Sequence, residues 1–365
     1  MFFASERDTL NYARDKAQEL FEQTGQKPHI LSDNNLSTFF GELGSAFRLI
    51  LEEKEILFFA MLQWLVIALA YLVWTQMLDW IPDDVWRQVS KKDNKISFTL
   101  LNLALSGWSF LVIMVASYPL SLLNAAITAV HYLRSAGRRS TIAACLSYAY
   151  RNLPRLWAFT TIDAWITVNA ILDRMPRKNS RRTPADEALY YAWKIGTIGV
   201  VPALTAGKGF FDAAKDSVAV LAAHPLRAIG VRMGYSMICW GIGILAYAGG
   251  LSYAMTSAHS VGGPNGVYNF YVVLAVPIVF AVGVTAVLVR PFYLVIVARL
   301  YAQVVPVGDQ AAVPADNRKA DIAGVIFAIL LCTLLAFYWF GDQLGLRGWI
   351  ESLAARDLRG VDGSR

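Results

Sequence analysis

Apolar runs of about twenty residues, almost free of charge, recur along this chain and restrict its fold more than any other feature of the sequence. Ile56 to Met77, Ile229 to Met255, Tyr268 to Leu288 and Ile322 to Phe340 are the clearest. At about 1.5 Å per residue, each is long enough to cross about 30 Å of hydrocarbon as a helix. Lipid offers no partner to a bare peptide group, so a crossing segment must satisfy its own backbone, and a helix does this within one segment. The expected fold is therefore all-α: a polytopic transmembrane helix bundle with amphipathic surface helices. The alternative is a large soluble helical core. Charged residues make up 16 % of the chain, against about 25 % in soluble domains, and the mean hydropathy is +0.42. Both favour lipid.

The remaining apolar stretches are less regular. Ile96 to Leu133 is longer than one crossing needs and contains Pro119, which predicts a helix bent there whose last turns leave the membrane. Leu156 to Leu172 carries Asp163 and Asn169, and Ala188 to Ala206 carries Lys194 and Pro202. Counting both gives about seven spans; the alternative is five spans plus two re-entrant or interfacial helices. Thr141 to Asn152, ending at Pro154, and Phe210 to Ala223, ending at His224 and Pro225, read as short surface helices. Two more precede the first span, from Ser5 and from Ser37, the second with the apolar stripe of a helix lying in the interface. Residues 1–55 thus form cytoplasmic or interfacial amphipathic helices, 56–345 the transmembrane domain, and 346–365 a short amphipathic tail.

Basic residues cluster at the ends of apolar runs, so the net charge of +6 reads as a topology signal and does not point to nucleic acid. Arg134, Arg138, Arg139, Arg151 and Arg155 mark one connection, Lys208, Lys215 and Arg227 another, and none lies between Ser257 and Val267. The positive-inside rule then puts the N-terminus on the cytoplasmic side of a prokaryotic inner membrane. One linker conflicts: Arg174, Arg177, Lys178, Arg181 and Arg182 lie outside if both flanking segments cross. Two real crossings are the expectation, with a cytoplasmic linker as the alternative.

Ionisable residues within apolar segments are costly and so mark candidate sites. Asp163 and Lys194 form the candidate intramembrane polar site, as an ion pair or a proton or ligand site; the bland alternative is a satisfied packing residue and a snorkelling lysine. Arg232, Arg290 and Arg299 lie near span ends, where contact with lipid headgroups is expected. Cys145, Cys239 and Cys332 form no CxxC pair, and the four histidines fit no metal pattern. Ala206-Gly207-Lys208-Gly209 lacks the glycine spacing and the following Ser or Thr of a phosphate loop, and no GxSxG elbow is present. No catalytic residue, cofactor or metal site is predicted. Gly230 with Gly234, and Ala246 with Gly250, have the four-residue spacing that lets helices approach closely.

SAFRLILEEKEILFFAML (45–62), SLLNAAITAVHYLRSAG (121–137) and AWKIGTIGVVPALTAGKGFFDAAKDSVAVLAAHP (192–225) resemble a family of prokaryotic polytopic integral membrane proteins with a glycerophosphodiesterase-membrane-domain-like pattern. The likeness covers roughly residues 45–303. It implies an amphipathic entry helix, a small-residue helix ending in a basic turn, and a "VVP" span followed by a surface helix. It implies no catalytic residues.

With no catalytic motif and several surface helices, the leading expectation is a non-catalytic subunit or scaffold of a membrane complex, partnered by other membrane proteins or by copies of itself. A small-molecule or lipid transporter is the second expectation, because Pro- and Gly-broken helices carrying Asp163 and Lys194 resemble those that build midplane sites. A membrane enzyme is the third.

Overall fold

The computed structural model describes residues 48, 52–81, 99–172, 184–256, 277, 280–305, 307 and 317–362. Among these every regular element is helical. In chain order they are α1 (Lys54–Asp79), α2 (Thr99–Ser135), α3 (Ile142–Tyr150), α4 (Leu153–Leu172), α5 (Pro184–Gly196), α6 (Val200–Thr205), α7 (Phe210–Ala223) and α8 (Pro225–Thr256). A π-helical turn at Thr285–Val289 then leads into α9 (Arg290–Val304), followed by α10 (Arg318–Phe340) and α11 (Leu346–Asp362). The expected helices before residue 48, the linker 174–182 and the turn 257–267 lie outside the described residues.

Among the described residues five helices are long and apolar enough to cross a membrane: Lys54–Met77, Leu103–Ser135, Pro225–Gly249, Phe280–Val304 and Arg318–Phe340. The expectation of seven crossings is not met among the described residues. Ala188 to Ala206 is no single helix: α5 ends at Gly196, residues 197–199 turn, and α6 begins at Val200. Gly196 and Gly199 are poor helix formers, and Pro202 has no N–H to carry the hydrogen-bond ladder through. Ser217 of α7 completes the break. Its hydroxyl donates to Gly196 O (2.7 Å) and accepts from Gly199 N (2.9 Å), so the backbone groups released by the turn are satisfied inside the protein. α4 is helical over 20 residues but polar enough to fall outside the five.

α2 is the central element, and Pro119 lies within it without ending it. Half of its apolar window is buried by the rest of the chain, against 22 % for α1, 17 % for α10 and 11 % for α8. α1 runs antiparallel to it. At one end Arg134 bridges two carboxylates, Nη1 to Glu53 at 2.9 Å and Nη2 to Glu52 at 2.8 Å. Midway, Gln63 Nε2 donates to Asn124 Oδ1 at 3.1 Å, and further along Trp74 Nε1 donates to Ser109 Oγ at 2.9 Å. Interhelical hydrogen bonds of this kind contribute about 0.6 kcal/mol each on average in lipid. α4 lies antiparallel to α2 on another side, held by Trp157 Nε1 donating to Met114 O at 2.8 Å and by Phe110 edge-on to Trp165 at 5.2 Å. α10 docks through Phe327 stacked on Tyr118 at 4.1 Å and through Tyr150, whose hydroxyl donates to Asp321 at 2.9 Å.

The core divides along α2. Its second half, Leu123 to Leu133, is enclosed by side chains of α1, α3, α6, α7 and α9, among them Phe59, Leu204, Val220 and Tyr301. Its first half packs with Trp80, Leu334 and Ile350. Two prolines expected to close surface helices instead open the next ones: Pro154 sits in the first turn of α4 and Pro225 begins α8, where a missing N–H breaks no helical bond. Phe210 to Ala223 is a helix as expected, and the tail, expected only to be short and amphipathic, is helical over 17 residues.

Candidate functional site

Asp163 lies ten residues into α4, about 15 Å along its axis from Leu153. Lys194 lies in the last turn of α5, because the chain breaks at Gly196. That position suits a cation, since unpaired carbonyls at a helix C-terminus carry partial negative charge. The two side chains meet: Lys194 Nζ stands 2.5 Å from Asp163 Oδ1, and the same oxygen accepts from Trp193 Nε1 at 3.0 Å. Lys194 also lies over the Tyr190 ring, 5.9 Å from its centroid. Its side chain is 9 % exposed, that of Asp163 31 %. Of the alternatives open from the sequence, the structure thus shows an ion pair, its lysine buried and its carboxylate partly exposed. Thr167, one helical turn on, donates its hydroxyl to Asp163 O at 2.5 Å.

Two of the three arginines also lie within electrostatic reach of Lys194. Arg232 of α8 stacks against two rings, Tyr235 at 5.5 Å and Tyr293 at 5.8 Å. The rings of Tyr235 and Tyr293 lie 4.7 Å apart, so α8 and α9 meet through them. Arg232 and Arg290 both act electrostatically on Lys194, and Asp163 acts on Tyr293. Cys239 lies close to Tyr235 and Thr285, which joins the π-helical turn to the same group. A π turn admits one extra residue into a helix and is frequent at functional sites; here it immediately precedes Arg290. Arg299 belongs elsewhere. It lies within electrostatic reach of His131 on α2.

Among the described residues this centre holds Lys194, Arg232 and Arg290 against the single carboxylate Asp163, which leaves two positive charges in excess. Aromatic faces attract cations by about 0.5–2 kcal/mol, yet they cancel no charge. The centre is rich in hydrogen-bond donors too, for an ammonium carries three, a guanidinium five, and neither accepts. Such an arrangement can hold an anion. It offers no nucleophile paired with a base, and no group of three His, Cys, Asp or Glu able to hold a metal occurs among the described residues.

The aromatic partners were missed from the sequence. A signal for two of them exists: Arg232-Met-Gly-Tyr235 and Arg290-Pro-Phe-Tyr293 share an Arg-x-x-Tyr spacing, which puts ring and guanidinium on one helix face. The small pair Gly230 and Gly234 meets nothing within 4 Å.

The fold and the site define a class only, an all-helical protein with five membrane-crossing candidates and a polar centre between helices. The chain matches no family model, no curated protein and no solved structure.

Proposed function

We propose that this chain is an integral membrane protein that binds and handles an anionic ligand, a lipid or a small solute, without covalent chemistry of its own. The observation that carries the reading is the excess of positive charge at Lys194, which is paired with Asp163, and at Arg232 and Arg290, which lie within its electrostatic reach. Uncompensated charge is expensive away from water, so an anion that completes the centre stabilises the folded protein by mass action. Thermal unfolding of the purified chain in detergent, with and without anionic lipids and small phosphates, tests it. A rise in midpoint that is lost on Arg232→Gln is expected. No response to any anion would remove the reading.

A second reading is that of a non-catalytic subunit of a membrane complex, and the exposure of α8 favours it. Only 11 % of its apolar window is buried within the chain, and Gly230 and Gly234 face open space. Cross-linking from a cysteine placed at Gly234 in native membranes tests this, with a discrete protein adduct expected. Both readings keep the prokaryotic inner membrane and the cytoplasmic N-terminus as proposals, which reporter fusions after Arg182 and after the last residue would check.

A further inference from the structure

We infer that the ligand of the cationic centre is the phosphate headgroup of an anionic phospholipid that enters sideways from the bilayer. The inference rests on the reading of that centre as an anion site and goes further by naming the ligand.

Three observations support it. The first is chemical. Arg232 and Arg290 bring planar forks that match pairs of phosphate oxygens, and of the three donors on Lys194 one is taken by Asp163. Three cations arriving from three helices suit an acceptor-rich tetrahedral group better than a flat carboxylate. The second is depth. Arg232 is seven residues beyond Pro225, where α8 begins, about 10 Å along the axis. That is short of the midpoint of a bilayer core about 30 Å thick, in the half of the membrane that holds the start of α8. The third is the amphiphilic surround. Met233 and Met237 on α8 are 58 % and 71 % exposed, Leu288 on the π turn 55 %, and Leu189 on α5 73 %. The helices that supply the cations thus present apolar side chains outward beside them, where acyl chains would run. A soluble anion would make no use of these.

The test uses the full chain, purified in detergent and stripped of lipid, with dioleoyl phosphatidylglycerol, dioleoylglycerol, which lacks the phosphate, and glycerol 3-phosphate, which lacks the chains. Native mass spectrometry and thermal unfolding read out binding. Phosphatidylglycerol is expected to be retained and to raise the unfolding midpoint, dioleoylglycerol to do neither, and glycerol 3-phosphate to bind at least tenfold more weakly. Arg232→Gln and Arg290→Gln are each expected to cut phosphatidylglycerol retention about tenfold, and Arg347→Gln, an exposed arginine of α11 paired with Glu351, to leave it unchanged. The wild-type comparison of the three probes needs no variant, so a misfolded mutant does not block the test. Equal binding of phosphatidylglycerol and glycerol 3-phosphate would overturn the lipid inference and leave the anion reading standing. Equal binding of phosphatidylglycerol and dioleoylglycerol, or no binding at all, would overturn both.

Discussion

Removing one partner of the Asp163–Lys194 pair should cost unequal amounts, and the inequality follows from their burial. Asp163→Asn leaves the Lys194 ammonium, 9 % exposed, without its carboxylate and still beside Arg232 and Arg290. Breaking a buried pair in this way costs about 3–5 kcal/mol. The helix C-terminus beneath Lys194 and the Tyr190 ring offset part of this, so about 2–3 kcal/mol is expected. Lys194→Met leaves Asp163 with nearly a third of its side chain outside the protein and with the Trp193 donor retained. Its cost should be about 1 kcal/mol, because a partly exposed carboxylate with one good donor is far less strained electrostatically. The double variant should recover most of the loss, about 1–2 kcal/mol relative to Asp163→Asn, since replacing both members of a buried pair is often close to neutral. Thermal unfolding in one detergent, followed by size-exclusion fluorescence, gives all four corners of the cycle. Equal single costs with an additive double would refute the claim that these groups are coupled and unequally buried.

Three further outcomes are expected. Ser217→Ala should cost about 1–3 kcal/mol, because Gly196 O and Gly199 N would be left inside the protein without their partner; amide exchange at Gly199, slow in the parent, should become fast. A side chain at Gly283 would start 1.9 Å from Trp64 Nε1, so Gly283→Ala should lower stability by about 1–2 kcal/mol as the indole is displaced, and Trp64→Leu in the same chain should restore most of it. Arg134 and Arg48 hold the Glu52 carboxyl below its ordinary value of 4.5. The contribution of this group is therefore fully present above pH 4.5 and is lost as pH falls through the lowered value; unfolding midpoints of the parent and Glu52→Gln should run parallel from pH 7 to 5 and converge below that.

How much of this was legible depended on the range of the interactions involved. Helix ends set by neighbouring residues were readable: Phe210–Ala223 lies between Gly209 and His224 as expected, and Thr141, one residue before α3, accepts a hydrogen bond from Ala144 N. The break after Gly196 was harder, because hydropathy averages over residues 188–206 while the local backbone responds to Gly196, Gly199 and Pro202 one at a time. Its partner Ser217 sits 21 residues from Gly196, beyond any periodic pattern. Asp163 and Lys194 stood out because charge in an apolar run is rare. Tyr235 and Tyr293 did not, since tyrosines at such places are ordinarily read as interface anchors.

The break and the centre are one device. Had residues 188–206 crossed as a single helix, Lys194 would lie in its interior, where the carbonyls are already bonded within the helix and give an ammonium no dipole. Ending α5 at Gly196 places Lys194 in the final turn, at the negative end of the helix dipole and within 2.5 Å of Asp163. It also makes the chain turn at 197–199, so that α6 and α7 fold back against α2 and α9 through Tyr132 donating to Pro202 O at 3.2 Å and Tyr301 donating to Asp216 at 3.0 Å. α9 carries Arg290 and Tyr293 at its start and Tyr301 near its end. The contacts that close the break therefore also fix the helix supplying the third cation. Loosening the break, as in Ser217→Ala, should accordingly weaken anion binding as well as stability, whereas a loss of equal stability at Trp64 should leave binding intact.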